Sequence, residues 1–319
     1  MKLRQIRFGP VLGASGVHNF FGEGYPYHRW LKLALPLHFR FDGMTFVAKT
    51  TTLHKTEGNM PMRDDGVTPQ EFHPRCIVVK PYHGVALNAV GLSGPGAADL
   101  FERGLWQART EPFMLSFMST KPTPDERIVE AIDFFKLLEE YLDYFNAPIA
   151  LQANFSCPNV KLDPNKLIAE AASVLDEARR IKVLLVPKFN ALIPVAAAKK
   201  IADHPNCAGL CVSNTIPWKD LPASWQIKYF GDVVSPLVEF GGGGLSGAPL
   251  LPLVVDWVRQ ARTVGITKPI NAGGGILHPN NIWELKAAGA DSVFLGSVTM
   301  LRPWRMAQLI QTAYQAFGR

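Results

Sequence analysis

The stretch PINAGGGILHPNNIWELKAAGADSVFLGSV, residues 269–298, holds two short apolar runs with a helical pattern between them. The runs PINAGGG (269–275) and SVFLGSV (292–298) have the length and composition of buried strands, and each contains glycine where it ends. A strand, a helix and a second strand in this order form the repeating unit of a parallel sheet. This stretch therefore predicts an α/β fold.

The same alternation extends over most of the chain. Six further strands are predicted at PVLGAS (10–15), FVAKTTT (46–52), FMLSFMS (113–119), PIALQANFS (148–156), VLLVPKFN (183–190) and GLCVSNT (209–215). Helices are predicted over 124–145, 164–180, 192–203, 249–264, 279–288 and 302–317. Eight such units indicate a closed (β/α)8 barrel, a TIM barrel, forming one domain over residues 1–319.

An open doubly wound sheet is the alternative architecture. Against it, the first predicted strand lacks GxGxxG, and the glycines follow the last strands, where barrels commonly bind phosphate. Segment 54–95 is too long for a simple loop and contains the hairpin-like RCIVVKPYHGVALNAVG. We therefore expect an inserted excursion over the C-terminal mouth of the barrel.

Composition narrows the class of protein. The 319 residues are 47% hydrophobic, enough for a large core, and 33 basic against 27 acidic residues give a net charge of +6. The basic residues are scattered, so no nucleic-acid partner is indicated, and an anionic small substrate would suffice. Four cysteines without a CxxC pair favour a reducing compartment, with Cys207 and Cys211 as packing residues. With no apolar leader and no run of membrane-spanning length, we expect a cytoplasmic protein without a membrane partner.

Polar residues recur where the predicted strands end, which is where barrels place catalytic groups. A strand-end asparagine is more often a turn former, and a lysine there is usually a surface charge, yet five such residues are harder to dismiss. Two lysines at the mouth need anionic partners, because burying an unpaired ammonium is costly. The five residues are Ser15, Lys49, Asn154, Lys188 and Asn214.

Three glycine clusters indicate where a phosphate would bind: FGGGGLSGAP (240–249), NAGGGILHP (271–279) and FLGSV (294–298). Glycine allows backbone amides to approach a ligand closely, and the last two clusters precede helical segments whose N-termini favour anions. No fingerprint for an adenine half is present. A mononucleotide such as FMN is therefore favoured over NAD.

Cys157 follows the fourth predicted strand and precedes Pro158, on a loop over the mouth. Three roles compete for its thiol: metal ligand, covalent nucleophile and general base. No second cysteine or histidine lies at ligand spacing, so no metal is expected. None of the eight histidines has a protease-type context, although a neighbour in space stays open. A general base is compatible with the flanking asparagines, which could hold the amide edges of a substrate. The reference pKa of a cysteine thiol, near 8.5, also suits proton abstraction.

These residues resemble the dihydroorotate dehydrogenases, a family of FMN-dependent (β/α)8 barrels. The matching motifs, in order, are GASGVH (13–18), AKTTTLHKTEGNMPMR (48–63), ALNAVGLSGPG (86–96), NFSCPN (154–159), VPKFN (186–190), VSNTI (212–216), GGLSGAPL (243–250), NAGGGI (271–276) and FLGS (294–297). They span nearly the whole chain.

The resemblance implies roles for individual residues. It makes Cys157 the catalytic base and gives as substrate-binding residues Lys49, Asn88, Asn154, Asn159, Asn214 and Thr215. With the glycine clusters, it gives as FMN-binding residues Ala14, Ser15, Lys49, Thr50, Asn88, Asn154, Lys188, Ser213, Ser246, Gly247, Gly274, Gly275, Gly296 and Ser297. The chain departs from the family pattern at VKLDPNK after Asn159 and in extra residues near 20–30 and 217–232.

A cysteine base is typical of the soluble family members, whereas the membrane-associated, quinone-using ones have serine. The resemblance thus implies oxidation of dihydroorotate to orotate by a homodimer that uses fumarate, or by a subunit that passes electrons to NAD through a partner flavoprotein. The alternatives are a tRNA dihydrouridine synthase and half of a dihydropyrimidine dehydrogenase. Against the synthase, residue 156 is Ser where its motif has Gly, and Asn88 and Asn159 suit a free pyrimidine.

Overall fold

A computed structural model describes residues 1–155 and 164–318. Its main feature is a parallel sheet of seven strands, which we number by their place in the barrel. These are the first strand Val11–Gly13, the third Phe113–Phe117, the fourth Ile149–Asn154, the fifth Leu184–Asn190, the sixth Leu210–Asn214, the seventh Ile270–Gly273 and the eighth Ser292–Leu295.

Segment 45–51 takes the second place and closes the sheet into a barrel. Isolated parallel bridges join Thr45 to Leu12 of the first strand, and Val47 and Thr51 to residues of the third strand. The eighth strand pairs with the first, Val293 opposite Val11, so each strand has a neighbour on both sides. The predicted TIM barrel is confirmed, with all eight strands near their expected positions.

Helices surround the barrel and follow the strands as predicted. Pro124–Tyr141 shows how one begins: Thr123 and Glu126 form a reciprocal capping box, and Pro124 takes the first turn, where no amide donor is needed. The α-helices are Pro26–Ala34, Ala97–Glu102, Pro124–Tyr141, Pro164–Glu177, Val195–Ala202, Ala223–Phe230, Leu250–Thr263, Pro279–Ala288, Val298–Leu301 and Met306–Phe317. Single 3-10 turns lie at Leu142–Tyr144, Trp218–Asp220, Val238–Phe240 and Pro303–Arg305.

The interior of the barrel is packed at its amino end. The short strands Lys2–Leu3 and Ile6–Arg7 form an antiparallel pair there, and Leu3 and Phe8 pack with inward side chains such as Leu12 and Met114. Cys207 and Cys211 are buried, the latter in this inner cluster. With the amino end filled by apolar side chains, the open end of the barrel is the carboxyl end.

The inserted excursion forms part of a second, antiparallel sheet. Its hairpin, Ile77–Lys80 and Val85–Asn88, matches the predicted one, and Val85–Asn88 also pairs with Gly244–Gly247. The strand Ile216–Pro217 completes this four-stranded sheet. Part of glycine cluster 240–249 is thus a paired strand, residues 244–247, which the sequence analysis does not predict. Within the described residues, no helix is long and apolar enough to cross a membrane.

Candidate active site

A cavity of about 770 Å³ opens at the carboxyl ends of the strands, between the barrel and the excursion. The structure brings most of the predicted residues to its wall: Ala14, Ser15, Lys49, Thr50, Asn88, Asn154, Lys188, Ser213, Asn214, Thr215, Ser246, Gly274, Gly275, Gly296 and Ser297. Cys157 and Asn159 lie outside the described residues; the fourth strand ends at Asn154, and Phe155 is the last residue described before them. The polar residues predicted at separate strand ends thus line one common cavity.

Lys49 is a buried cation in this wall. Its ammonium donates a hydrogen bond to the carbonyl of Ser93 in the excursion and lies 4.5 Å from the centre of the Phe20 ring. Burial lowers its pKa from 10.5 to about 7, with a small opposing effect of Cys76. Among the described residues no carboxylate pairs with Lys49. An anionic ligand would therefore stabilise the charged form at low cost.

Lys188 lies at the end of a chain of hydroxyl groups. Its ammonium donates to Ser15 Oγ at 3.0 Å, and Thr50 Oγ1 donates to the same oxygen at 3.1 Å. Thr50 Oγ1 is in turn 2.9 Å from Ser116 Oγ. Burial lowers the pKa of Lys188 as well. The chain connects the first, second, third and fifth strands and fixes the position of the ammonium.

Three of the predicted asparagines face the cavity. Asn214 donates its side-chain amide to Asn154 Oδ1 at 3.0 Å and accepts from the backbone amide of Thr215 at 3.1 Å. Asn88 approaches from the excursion, with Nδ2 3.4 Å from the carbonyl of Gly244. Amide side chains both donate and accept, so this set can bind a ring that carries alternating N–H and C=O groups.

The glycines of the seventh-strand loop lie against the same wall. Gly275 has φ +81°, and a Cβ there would lie 2.7 Å from the carbonyl oxygen of Gly247 and 2.9 Å from the amide of Leu251. Only glycine fits this turn. Gly247 itself is not among the residues that line the cavity, and its missing side chain is explained by contact with the backbone of Gly84 across the strand pair.

Several residues that line the cavity, and one that supports its wall through a hydrogen bond to Thr50, were not predicted. The supporting residue is Ser116, which lies in mid-strand behind Thr50, where nothing in FMLSF distinguishes a functional hydroxyl. Asn190 ends the fifth strand in KFN, so the strand-end signal that identified Asn154 could have found it. Tyr25 and Tyr27 come from the extra segment near 20–30, and their rings stack with centroids 5.9 Å apart.

The comparisons with known proteins agree with one another. The family model described as dihydroorotate dehydrogenase matches residues 6–315. Dihydroorotate dehydrogenase A (fumarate) of Lactobacillus delbrueckii subsp. bulgaricus is 28% identical over 299 residues, covering 90% of this chain and 83% of that protein. Dihydroorotate dehydrogenase B (NAD(+)), catalytic subunit, of Caldicellulosiruptor bescii is 28% identical over 313 residues, covering 94% and 87%.

Among solved structures, DHODH of Eimeria tenella in complex with ferulenol superposes with a TM-score of 0.68. That match covers 98% of this chain and 82% of the other, at 18% sequence identity. At this identity the likeness concerns the fold. The two chains therefore share a fold over nearly all of this chain and over most of the other.

Proposed function

Because this chain belongs to the dihydroorotate dehydrogenase family, we propose that it oxidises (S)-dihydroorotate to orotate with FMN bound in the cavity. One observation supports this most: a single cavity unites two buried lysines with asparagines from the fourth strand, the sixth strand and the excursion. The lysines suit an anionic ligand, and the amides suit a pyrimidine. We take residues 1–319 to be one FMN-binding domain.

The residues present fit a flavin mononucleotide. Two buried ammonium groups without carboxylate partners in the described ranges favour a ligand with negative charge, and the turn at Gly274 and Gly275 admits no side chain. In the proposal, Lys188, Ser15 and Thr50 hold the isoalloxazine ring, and the loops at 274–275 and 296–297 hold the phosphate. When bound, the flavin supplies the acceptor for the hydride that leaves carbon 6 of the substrate.

The protein side chains then position the substrate and move one proton. The charged form of Lys49 pairs with the substrate carboxylate, while Asn88, Asn154, Asn159 and Asn214, with Thr215, bind the ring amides. Cys157 removes the proton from carbon 5. The roles of Cys157 and Asn159 rest on the sequence resemblance.

Fumarate is the proposed electron acceptor, with a homodimer as the working form. Relatives named for fumarate and relatives named for NAD(+) match this chain at the same 28% identity, so their names leave both acceptors open to the test. Turnover of the purified chain with fumarate alone would support the proposal. Turnover only after addition of an NAD-linked partner flavoprotein would contradict it.

Replacement of Cys157 tests the chemistry. We expect Cys157→Ala to retain FMN and orotate binding and to lose about 10²- to 10⁴-fold in dihydroorotate oxidation, the usual contribution of a general base. Cys157→Ser should be slower than wild type and require higher pH. Cys207→Ala is a matched control, because Cys207 is buried away from the cavity and should leave turnover intact.

Two results would overturn the proposal. Near wild-type turnover by Cys157→Ala at neutral pH would remove this thiol from the mechanism. A purified protein that is colourless and cannot be reconstituted with FMN would refute the cofactor assignment, whatever the behaviour of Cys157.

A further inference from the structure

Helix Pro26–Ala34 turns apolar side chains to the outside. Trp30 and Leu33 lie one turn apart on the helix and are 65% and 70% exposed, and Leu37, in the turn that follows the helix, is 78% exposed. Soluble proteins seldom leave large apolar residues together on one face without a partner. The helix belongs to the extra segment in which the chain departs from the family pattern.

Contacts extend this apolar face to two other segments. The carbonyl of His38 accepts a hydrogen bond from the amide of Ala307 at 2.8 Å, which brings Leu37 close to the turn that holds Trp304. Arg302 lies over the Trp304 ring, 5.6 Å from its centre, and donates to the carbonyl of Pro81 at 2.6 Å, beside Tyr82. Trp304 is 47% exposed and Tyr82 is 94% exposed. We call these five residues the rim patch: Trp30, Leu33, Leu37, Tyr82 and Trp304.

The three segments that form the rim patch carry charges of one sign. Residues 24–41, 76–84 and 292–318, which form it, contain no aspartate or glutamate; Glu23 and Asp42 bracket the first of these stretches. They contain six cations: Arg29, Lys32, Arg40, Lys80, Arg302 and Arg305. Without these six, 27 of the 33 lysines and arginines remain, against 27 aspartates and glutamates. These three segments therefore carry six positive charges and no negative one, while the rest of the chain is balanced in formal charge.

We propose that the rim patch docks on an anionic phospholipid surface. Tryptophan and leucine side chains enter the boundary between head groups and acyl chains, while arginine and lysine pair with lipid phosphates. A second copy of this chain fits less well, because a two-fold contact through the patch would place cations against cations. The absence of a spanning run led us to expect no membrane partner, but docking on a lipid surface needs no such run.

Docking would bring the cavity close to the lipid. Tyr25 and Tyr27, at the start of the exposed helix, line the cavity, as do Thr299 and Met300, just before the Trp304 turn. The hydroxyl of Tyr27 is hydrogen-bonded to the side chain of Thr299, so the two segments meet at the cavity edge. The rim patch therefore borders the opening through which a substrate or electron acceptor enters.

Vesicle sedimentation tests the docking with the FMN-loaded full chain and does not depend on turnover. One set of vesicles is phosphatidylcholine and the other is phosphatidylcholine with one third phosphatidylglycerol, each at low and high salt. We expect at least about tenfold tighter binding to the anionic vesicles, reduced by salt. Trp30→Glu and Trp304→Glu, which alter two separate segments, should each weaken that binding by about tenfold or more.

Tyr144→Glu is the matched control. The exposed fraction of Tyr144, 68%, is similar to that of Trp30. Tyr144 follows helix Pro124–Tyr141, however, and so lies towards the amino end of the barrel, away from the rim patch. It should leave vesicle binding unchanged, and melting temperatures of all variants verify folding. Absence of a preference for anionic vesicles, or equal weakening by Tyr144→Glu, would overturn the proposal. So would light scattering that shows a dimer split by Trp30→Glu, because the patch would then belong to a second copy.

Discussion

The buried histidines beside the first strand should make the protein sensitive to mild acid. His18 and His28 are 4% and 2% exposed, and His18 packs edge-on against Phe41 with ring centres 4.7 Å apart. Burial, together with the charges of Arg109 and Lys32, lowers the pKa of His18 to about 3. Burial, followed by His18 and Lys32, lowers that of His28 to about 3. Both side chains are therefore neutral in the folded protein throughout mild acid.

The unfolded chain, in contrast, protonates these histidines near the reference value of 6.5. A folded-state pKa below the unfolded value stabilises the fold above pH 6.5, and that stability is lost as the pH falls from 6.5 towards 3. Each histidine should lower the free energy of unfolding by about 1.4 kcal/mol for every pH unit below 6.5, and hence by about 2 kcal/mol at pH 5. Both together should lower the free energy of unfolding by about 4 kcal/mol.

Urea denaturation at several pH values between 5 and 7 measures this loss. His18→Phe keeps an aromatic ring against Phe41 and removes one of the two groups that take up a proton on unfolding. The free energy of unfolding should then fall about half as much between pH 7 and pH 5 as it does in the wild type. Phe46→Leu is the control, because it destabilises the same cluster without removing a titrating group and should shift the free energy of unfolding equally at each pH. An identical pH slope in wild type and His18→Phe would refute the reasoning.

Two further predictions concern buried charges. Because burial lowers the pKa of Lys49 to about 7, orotate affinity should be constant below pH 7 and should weaken by about tenfold per pH unit above it, as the ammonium loses its proton. In flavin absorbance titrations, Lys49→Met should bind orotate more weakly and with no dependence on pH. A pH profile of this variant that equals that of the wild type would contradict the assignment. Arg127 and Glu170 form a buried bidentate ion pair, with nitrogen–oxygen distances of 2.7 and 2.6 Å, that joins helices Pro124–Tyr141 and Pro164–Glu177. Arg127→Met should lower the free energy of unfolding by about 3 to 5 kcal/mol, because it leaves the buried carboxylate of Glu170 without this partner, and adding Glu170→Leu should recover much of the loss. If the double variant is as unstable as the single one in the same denaturation experiment, the buried carboxylate is not the cause.

The barrel was predictable because its pattern is local. Each strand is a short apolar run, and helices such as Pro279–Ala288 carry their own start and stop signals in Pro279 and Gly289. The second strand was recognised from FVAKTTT even though its ladder is reduced to isolated bridges. Helix Pro26–Ala34 was missed because it buries only His28 and exposes Trp30 and Leu33, so no apolar stripe faces the core.

The site was predictable where strand ends carried polar side chains, as at Lys49 and Asn214. The strand Gly244–Gly247 was not, because its pairing with Val85–Asn88 depends on residues far away in the chain, and its glycines resemble a ligand loop when considered alone. Ser116 could not be found either, since its function as a link to Thr50 arises only when the second and third strands meet. What the sequence lacked was the information on which distant segments touch.

Closure of the barrel by its first and eighth strands has a consequence for synthesis of the protein. The first strand, Val11–Gly13, pairs with residues 293–295 of the eighth strand. The strand that is synthesised first therefore obtains this neighbour only when the eighth strand has left the ribosome. Until then the nascent chain carries two unpaired strand edges, which are templates for aggregation. Such non-local pairing also slows folding. The barrel therefore closes only after residue 295 has been made, and a ribosome paused before residue 292 holds an open sheet with two unpaired edges.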